Sequence, residues 1–139
     1  MIKLNGVEIK LDKYPDGTFL FKDIPPIGGW CRDNIEWFFE SMEELTAVEY
    51  ITRYCWDHRV VPNLYMPYIP DARMDRVKHK NELFTLKYFA QTINSLHFGK
   101  VEVLDPHSDV SAALFNKVHV ESPNRMIEDA VKKIASNTL

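Results

Sequence analysis

Residues 66–115 read MPYIPDARMDRVKHKNELFTLKYFAQTINSLHFGKVEVLDPHSDVSAALF, and their order decides the fold. A short apolar strand runs into a basic loop, a helix follows, and a second strand ends in Asp105-Pro106-His107. Strand, helix, strand with polar residues at both strand ends is how an open parallel sheet builds a ligand site. The loop holds Arg73, Arg76, Lys78, His79 and Lys80 within one short run, in a chain of net charge −3. Cations gathered at one strand end of an acidic chain point to a polyphosphate ligand, because guanidinium groups bind phosphate oxygens by bidentate, charge-assisted bonds.

Outward from this stretch, the chain reads as β-hairpins followed by repeating βα units. Residues 2–11 alternate around Asn5-Gly6, a dipeptide that favours a tight hairpin turn. Pro15-Asp16-Gly17 is a second turn, followed by a strand at 18–21. Strands are expected at 35–39, 63–68, 100–104 and 118–120. Ser41-Met42-Glu43-Glu44 has the S-x-x-E capping-box pattern, and Met42, Leu45, Val48, Ile51 and Cys55 then share one helical face to about His58. Leu86, Phe89, Ala90, Ile93 and Leu96 mark a second helix, with Gly99 as its left-handed cap. A short helix from Ser108 to Phe115 and a last one after Pro123, with Ile127, Ala130, Val131 and Ile134 on one face, complete the pattern. The expected fold is a three-layer α/β domain spanning residues 1–139. Its sheet is mainly parallel, with the 2–11 and 18–21 strands as antiparallel additions.

Composition narrows the function classes. The 139 residues are 45% hydrophobic and 27% charged, as expected of one globular domain. The acidic balance argues against general nucleic-acid binding, and no apolar run approaches a membrane span. The first residues lack the apolar stretch of a secretion signal, so a cytoplasmic location is expected. Cys31 and Cys55 make neither a disulfide framework nor a metal cluster and read as reduced thiols. Trp30, Trp37 and Phe38 offer apolar surface for self-association. No P-loop, Rossmann fingerprint, C-x-x-C or nucleophile-elbow motif occurs.

Two groups remain as candidates. Arg73, Asp75 and Arg76 could clamp a phosphate chain, or could be a solvated basic loop. Asp105 and His107, where a buried strand emerges, could hold a divalent cation directly or through water. They could equally cap the next helix and satisfy a turn.

Three pieces in order resemble the N-terminal half of ribose-phosphate pyrophosphokinase, the phosphoribosyl pyrophosphate synthetase family. They are Pro67-Tyr68-Ile69-Pro70-Asp71-Ala72-Arg73-Met74-Asp75-Arg76, Phe84-Thr85-Leu86-Lys87 and Asp105-Pro106-His107. A weaker match is Tyr14-Pro15-Asp16-Gly17-Thr18, similar to the family's adenine-contact turn. The resemblance implies a phosphoribosyltransferase-like fold and transfer of diphosphate from MgATP to ribose 5-phosphate, giving phosphoribosyl pyrophosphate and AMP. It implies ATP contacts from Arg73, Asp75, Arg76 and His107, with Tyr14 and Asp16 reaching ATP in a neighbouring subunit. Magnesium would lie by His107 and Asp105, and the chain would be a homo-oligomer. Met74 stands where the family has glutamine and Thr18 where it has glutamate. The family's ribose-phosphate loop and the catalytic residues of its second domain have no counterpart in the sequence. The expectation is therefore an ATP-binding domain without catalytic residues of its own, inactive alone. The alternative is a non-catalytic subunit that associates with synthetases and regulates or assembles them.

Overall fold

The structure is a computed structural model. It describes the backbone of residues 1–104, 112–121 and 123–137, and the side chains of the same residues except 123–126. Asn5-Gly6 closes the first hairpin as its chemistry demands. β1 (Ile2–Leu4) and β2 (Val7–Glu8) pair antiparallel, and the two turn residues take φ of +51° and +81°. A two-residue turn of this hand needs positive φ at both positions, which Asn tolerates and Gly adopts freely.

The second hairpin, β3 (Asp12–Lys13) with β4 (Phe19–Leu20), is antiparallel as expected but forms a ribbon of its own rather than extending the main sheet. It rests on the first helix. Phe21 meets Tyr50 edge-on at 6.3 Å, and Lys13 pairs with Glu43 at 2.5 Å.

The remaining elements follow as β5 (Asn34–Trp37), α1 (Glu44–Asp57), β6 (Asn63–Met66), α2 (Thr85–Ser95), β7 (Val101–Leu104), β8 (Val118–Glu121) and α3 (Pro123–Asn137). The main sheet has the order β2-β1-β5-β6-β7-β8, and β5 to β8 run parallel. The fold is mixed α/β with a mostly parallel sheet and antiparallel hairpins.

Register sorts the side chains into two faces. Leu4, Ile35, Leu64 and Val101 stand side by side across four strands, and all are buried. Trp37 lies on the same face, fully buried, with its ring 6.0 Å from Phe89 of α2 and its indole N–H donating to Glu44 of α1 at 3.4 Å. Both helices therefore pack on that face, with Ala47, Val48, Ile51 and Cys55 from α1 and Leu86, Phe89, Ala90 and Ile93 from α2. One residue further along each strand, Lys3, Glu36, Tyr65, Glu102 and His119 line the opposite face.

The start of α1 is held by half of the expected capping box. Glu44 accepts hydrogen bonds from the amides of Ser41 at 3.0 Å and Glu40 at 2.7 Å, while no side chain caps the helix from the N-cap position. The same carboxylate takes the α-ammonium of Met1, which also donates to the Phe38 carbonyl at 2.8 Å. Burial pushes the Glu44 pKa up, but these donors and the Trp37 indole outweigh it and hold the carboxyl below its ordinary range.

Two sequence expectations need correction. Gly99 is not the left-handed cap of α2; His97 takes that conformation at φ +51°. A Cβ at Gly99 would meet the ends of two side chains, the Arg32 guanidinium at 2.6 Å and the Asn63 carboxamide at 2.8 Å, which would have to shift to admit it. Trp37 is core and offers no contact surface, whereas Trp30 is fully exposed. The last helix forms where the sequence places it, and its apolar positions Ile127 and Val131 are 60% and 58% exposed. The start of the short helix placed at Ser108 lies outside the described residues.

Candidate functional site

The cationic loop leaves the C-terminal end of β6. Ile69 and Pro70 are buried and anchor its start. Asp71, at φ +62°, turns the chain outward, and its carbonyl accepts the Met74 amide at 2.9 Å. Further on, the Glu82 carboxylate accepts the amides of Lys78 and His79 at 3.2 and 3.3 Å, and Asn81 turns back at φ +72°. The loop is thus shaped by its own backbone bonds. Arg73, Arg76, Lys78, His79 and Lys80 all point their charge to solvent, while Asp75 is half-buried. Among the described residues, none of these five side chains pairs with a carboxylate. Arg73, Asp75 and Arg76 lie on this one loop, the two arginines exposed.

The helix behind the loop adds to this positive field. α2 begins at Thr85 with no side-chain cap and no acidic residue in its first turn. Unsatisfied N–H groups and the helix dipole both favour an anion there. α1 starts at the same edge of the sheet, but Glu44 already occupies its N-terminus. Of these two helix starts, that of α2 is the one without a carboxylate in its first turn.

An aromatic pair missed at the level of sequence stands beside the loop. Phe39, just past β5, and Tyr68, just past β6, stack at 5.5 Å with planes 26° apart, and Tyr68 remains half-exposed. Nothing in the sequence pairs the two residues. The pair arises because parallel strands β5 and β6 end side by side, and only the register reveals that.

Tyr14 and Asp16 sit at the tip of the separate hairpin, both exposed. Asp16 is engaged within its own turn, accepting the Thr18 hydroxyl at 2.7 Å and the Thr18 amide at 3.0 Å. These bonds hold its carboxyl below the ordinary range. Among the described residues no hydrogen bond or ring contact joins this tip to the Arg73 loop. Asp105 and His107 lie outside the described residues; in sequence they follow directly on Leu104, the last residue of β7. Among the described residues no three His, Cys, Asp or Glu side chains converge as a metal site. No helix of the described residues is long and apolar enough to cross a membrane.

The N-terminal edge of the strands carries clefts of its own. One of 560 Å³ is shaped around Asp33, which is buried and accepts the Gly28 amide at 3.1 Å and the Asn5 carboxamide at 2.8 Å. A neighbouring one of 510 Å³ is bordered by Arg32, Arg59 and Lys117. Both lie at the opposite end of the parallel strands from the Arg73 loop.

No protein-family model matches the chain, and no curated protein sequence does. Its fold is nevertheless found among solved structures. It is similar to the crystal structure of phosphoribosylpyrophosphate synthetase from Mycobacterium smegmatis, with a TM-score of 0.67 and 14% sequence identity. The similarity covers 91% of this chain and 43% of that one, so the chain spans less than half the length of the synthetase it matches. At this identity the likeness is one of fold, and this chain has the fold of a segment of a phosphoribosylpyrophosphate synthetase.

Proposed function

We propose that this chain is the ATP-binding half of a ribose-phosphate diphosphokinase, binding MgATP at the C-terminal edge of β6 and forming no phosphoribosyl pyrophosphate by itself. The observation that carries the reading is the unpaired cationic loop beside the uncapped start of α2, in a chain that shares its fold with a phosphoribosylpyrophosphate synthetase. Arg73 and Arg76 supply planar donors to the β- and γ-phosphates. The α2 N-terminus adds fixed positive field, and Tyr68 offers a half-exposed ring face at the mouth of the site. Magnesium arrives as part of the substrate.

The transfer itself requires the 1-hydroxyl of ribose 5-phosphate to attack the β-phosphorus while the bond to the bridging oxygen of AMP breaks. Holding those atoms in line is most of what a phosphoryl-transfer site contributes. No second phosphate cradle stands opposite the Arg73 loop among the described residues, so binding without turnover is the expected behaviour.

Calorimetry with MgATP on the full chain and on Arg73→Ala, with an assay for AMP release, tests the reading. Binding in the range of roughly 0.1–1 mM is expected, weakened about tenfold by the substitution, since a charge-assisted hydrogen bond contributes about 1.5–3 kcal/mol. Unchanged affinity in Arg73→Ala takes the loop out of the site. AMP release that depends on ribose 5-phosphate overturns the inactivity.

One observation favours the second reading, a non-catalytic partner of synthetases: Asp16 is satisfied by Thr18 in its own turn rather than left open to a nucleotide. No MgATP binding at all, together with co-assembly with a full-length synthetase, would establish that reading instead.

A further inference from the structure

A run of aromatic rings leads from the core to the edge where the cationic loop begins. Phe115 meets Phe89 edge-on at 6.1 Å, and Phe89 lies 6.0 Å from Trp37. Trp37 meets Phe39 edge-on at 5.8 Å, and Phe39 stacks on Tyr68 at 5.5 Å. Phe115, Phe89 and Trp37 are buried, Phe39 is half-buried, and Tyr68, the outermost ring, is 48% exposed. Each ring is held by the next, and the innermost are fixed by close packing, so the Tyr68 ring is held at the surface in one attitude. A flat apolar ring ordered before a ligand arrives is what a stacking platform requires.

The platform stands next to the phosphate-facing loop. Tyr68 precedes Arg73 by five residues, at most about 18 Å of chain, a span that one nucleoside triphosphate bridges. Its surroundings offer little to read the edge of a base. Pro67 and Pro70 have no N–H, Ile69 is buried, and Met74 brings a thioether. The amides of Glu40 and Ser41, which follow Phe39, already donate to Glu44. The Glu44 carboxylate in turn is filled by those amides, the Met1 ammonium and the Trp37 indole. Strong discrimination between bases needs hydrogen bonds to their edges, whereas every base has a ring face to stack.

We propose that Tyr68, backed by Phe39, is the base platform of the nucleotide site and takes nucleoside triphosphates by ring stacking, without selecting one purine over the other. The inference rests on the reading of the Arg73 loop as the triphosphate site and adds to it the group that holds the base. It places that group in the same chain as the loop, unlike the Tyr14 turn, which the resemblance assigns to a neighbouring subunit.

NMR titration of the full chain with MgATP, MgGTP and magnesium tripolyphosphate tests it, on the wild type, Tyr68→Ala and Tyr68→Phe. Loss of the stack is expected to weaken MgATP about tenfold in Tyr68→Ala. Tyr68→Phe, which keeps the ring, should restore the affinity. Tripolyphosphate has no base and should bind the wild type and Tyr68→Ala alike, which also shows that the variant is folded. MgATP and MgGTP should bind within about fivefold of each other. Their base protons should move upfield under the Tyr68 ring current in the wild type and not in Tyr68→Ala. Undiminished MgATP affinity in Tyr68→Ala, or an equal loss for tripolyphosphate, overturns the platform and leaves the phosphate site standing. So does a gap between MgATP and MgGTP wider than about fivefold. A wild type that binds neither MgATP nor tripolyphosphate overturns the reading of the Arg73 loop itself, and the platform with it.

Discussion

α2 and α3 carry the same kind of sequence and meet opposite fates. Each repeats apolar residues at intervals of three and four: Leu86, Phe89, Ala90 and Ile93 in one, Ile127, Ala130 and Val131 in the other. In α2 all four are buried against the sheet; in α3 the stripe is exposed. Periodicity therefore specifies a face, and topology decides whether anything covers it. α2 stands between two neighbouring parallel strands, so its crossover lays it on the sheet. α3 follows the edge strand at a distance of one residue and has no strand of the described chain to return to.

The largest test of this comparison is truncation of matched isoleucines. Ile93→Ala should cost about 2–5 kcal/mol of unfolding free energy, the range for deleting a fully buried large aliphatic side chain. Ile127→Ala should fall within about 0.5 kcal/mol of the wild type at concentrations where the chain is monomeric. Urea titration of both variants checks this. Equal losses would mean that α3 is packed in the single copy after all.

Next in size is the acid sensitivity of the packed region, which rests on Glu44. Its folded pKa lies below the ordinary value of 4.5, so its contribution to stability is complete above that value and is lost as pH falls through the lower folded value. Glu44→Gln should lower stability by about 2 kcal/mol at neutral pH, the scale of charge-assisted hydrogen bonds. The gap between variant and wild type should then close as the solution is acidified below pH 4.5. A gap that persists at lower pH would show that packing of the side chain, not its charge, holds the start of α1.

The smallest expected effect is chemical and contrasts the two thiols. Cys55 lies in the core, where burial, and then the negative charge of Asp33, push its pKa up to about 11. Cys31 lies exposed in the loop before β5. A thiol reagent at neutral pH should modify one group per native chain, Cys31, and two only after unfolding. Two fast modifications in the native state would place the α1 face among the locally opening parts of the molecule.

Much of the fold was legible in the residues. Asn5-Gly6 demanded the first hairpin, Ser41 and Glu44 marked the start of α1, and the apolar, β-branched run at 100–104 marked a buried strand. These signals are local: positive φ, a capping carboxylate and a short β-branched run are set by neighbours within a few positions. The cationic loop was equally legible, since like charges crowded within a few residues have little local alternative to solvent.

What sequence could not supply was everything that depends on which strands become neighbours. Trp37 and Trp30 are the same residue type a few positions apart, yet one is wholly buried and the other wholly exposed, because only the first falls on the inward side of a strand pleat. Gly99 read as a helix cap, yet what lies closest to it are the side-chain ends of Arg32 and Asn63, from distant parts of the chain. The Phe39–Tyr68 stack exists only because β5 and β6 end together. The sequence by itself determined the elements, the inward-facing pattern of the central strands and the cluster of cations after β6. Only the tertiary structure decided the strand order, and with it which face α1 and α2 cover and which strand ends stand side by side. The reason is that side-chain period is a property of one segment, while burial is a property of a pair.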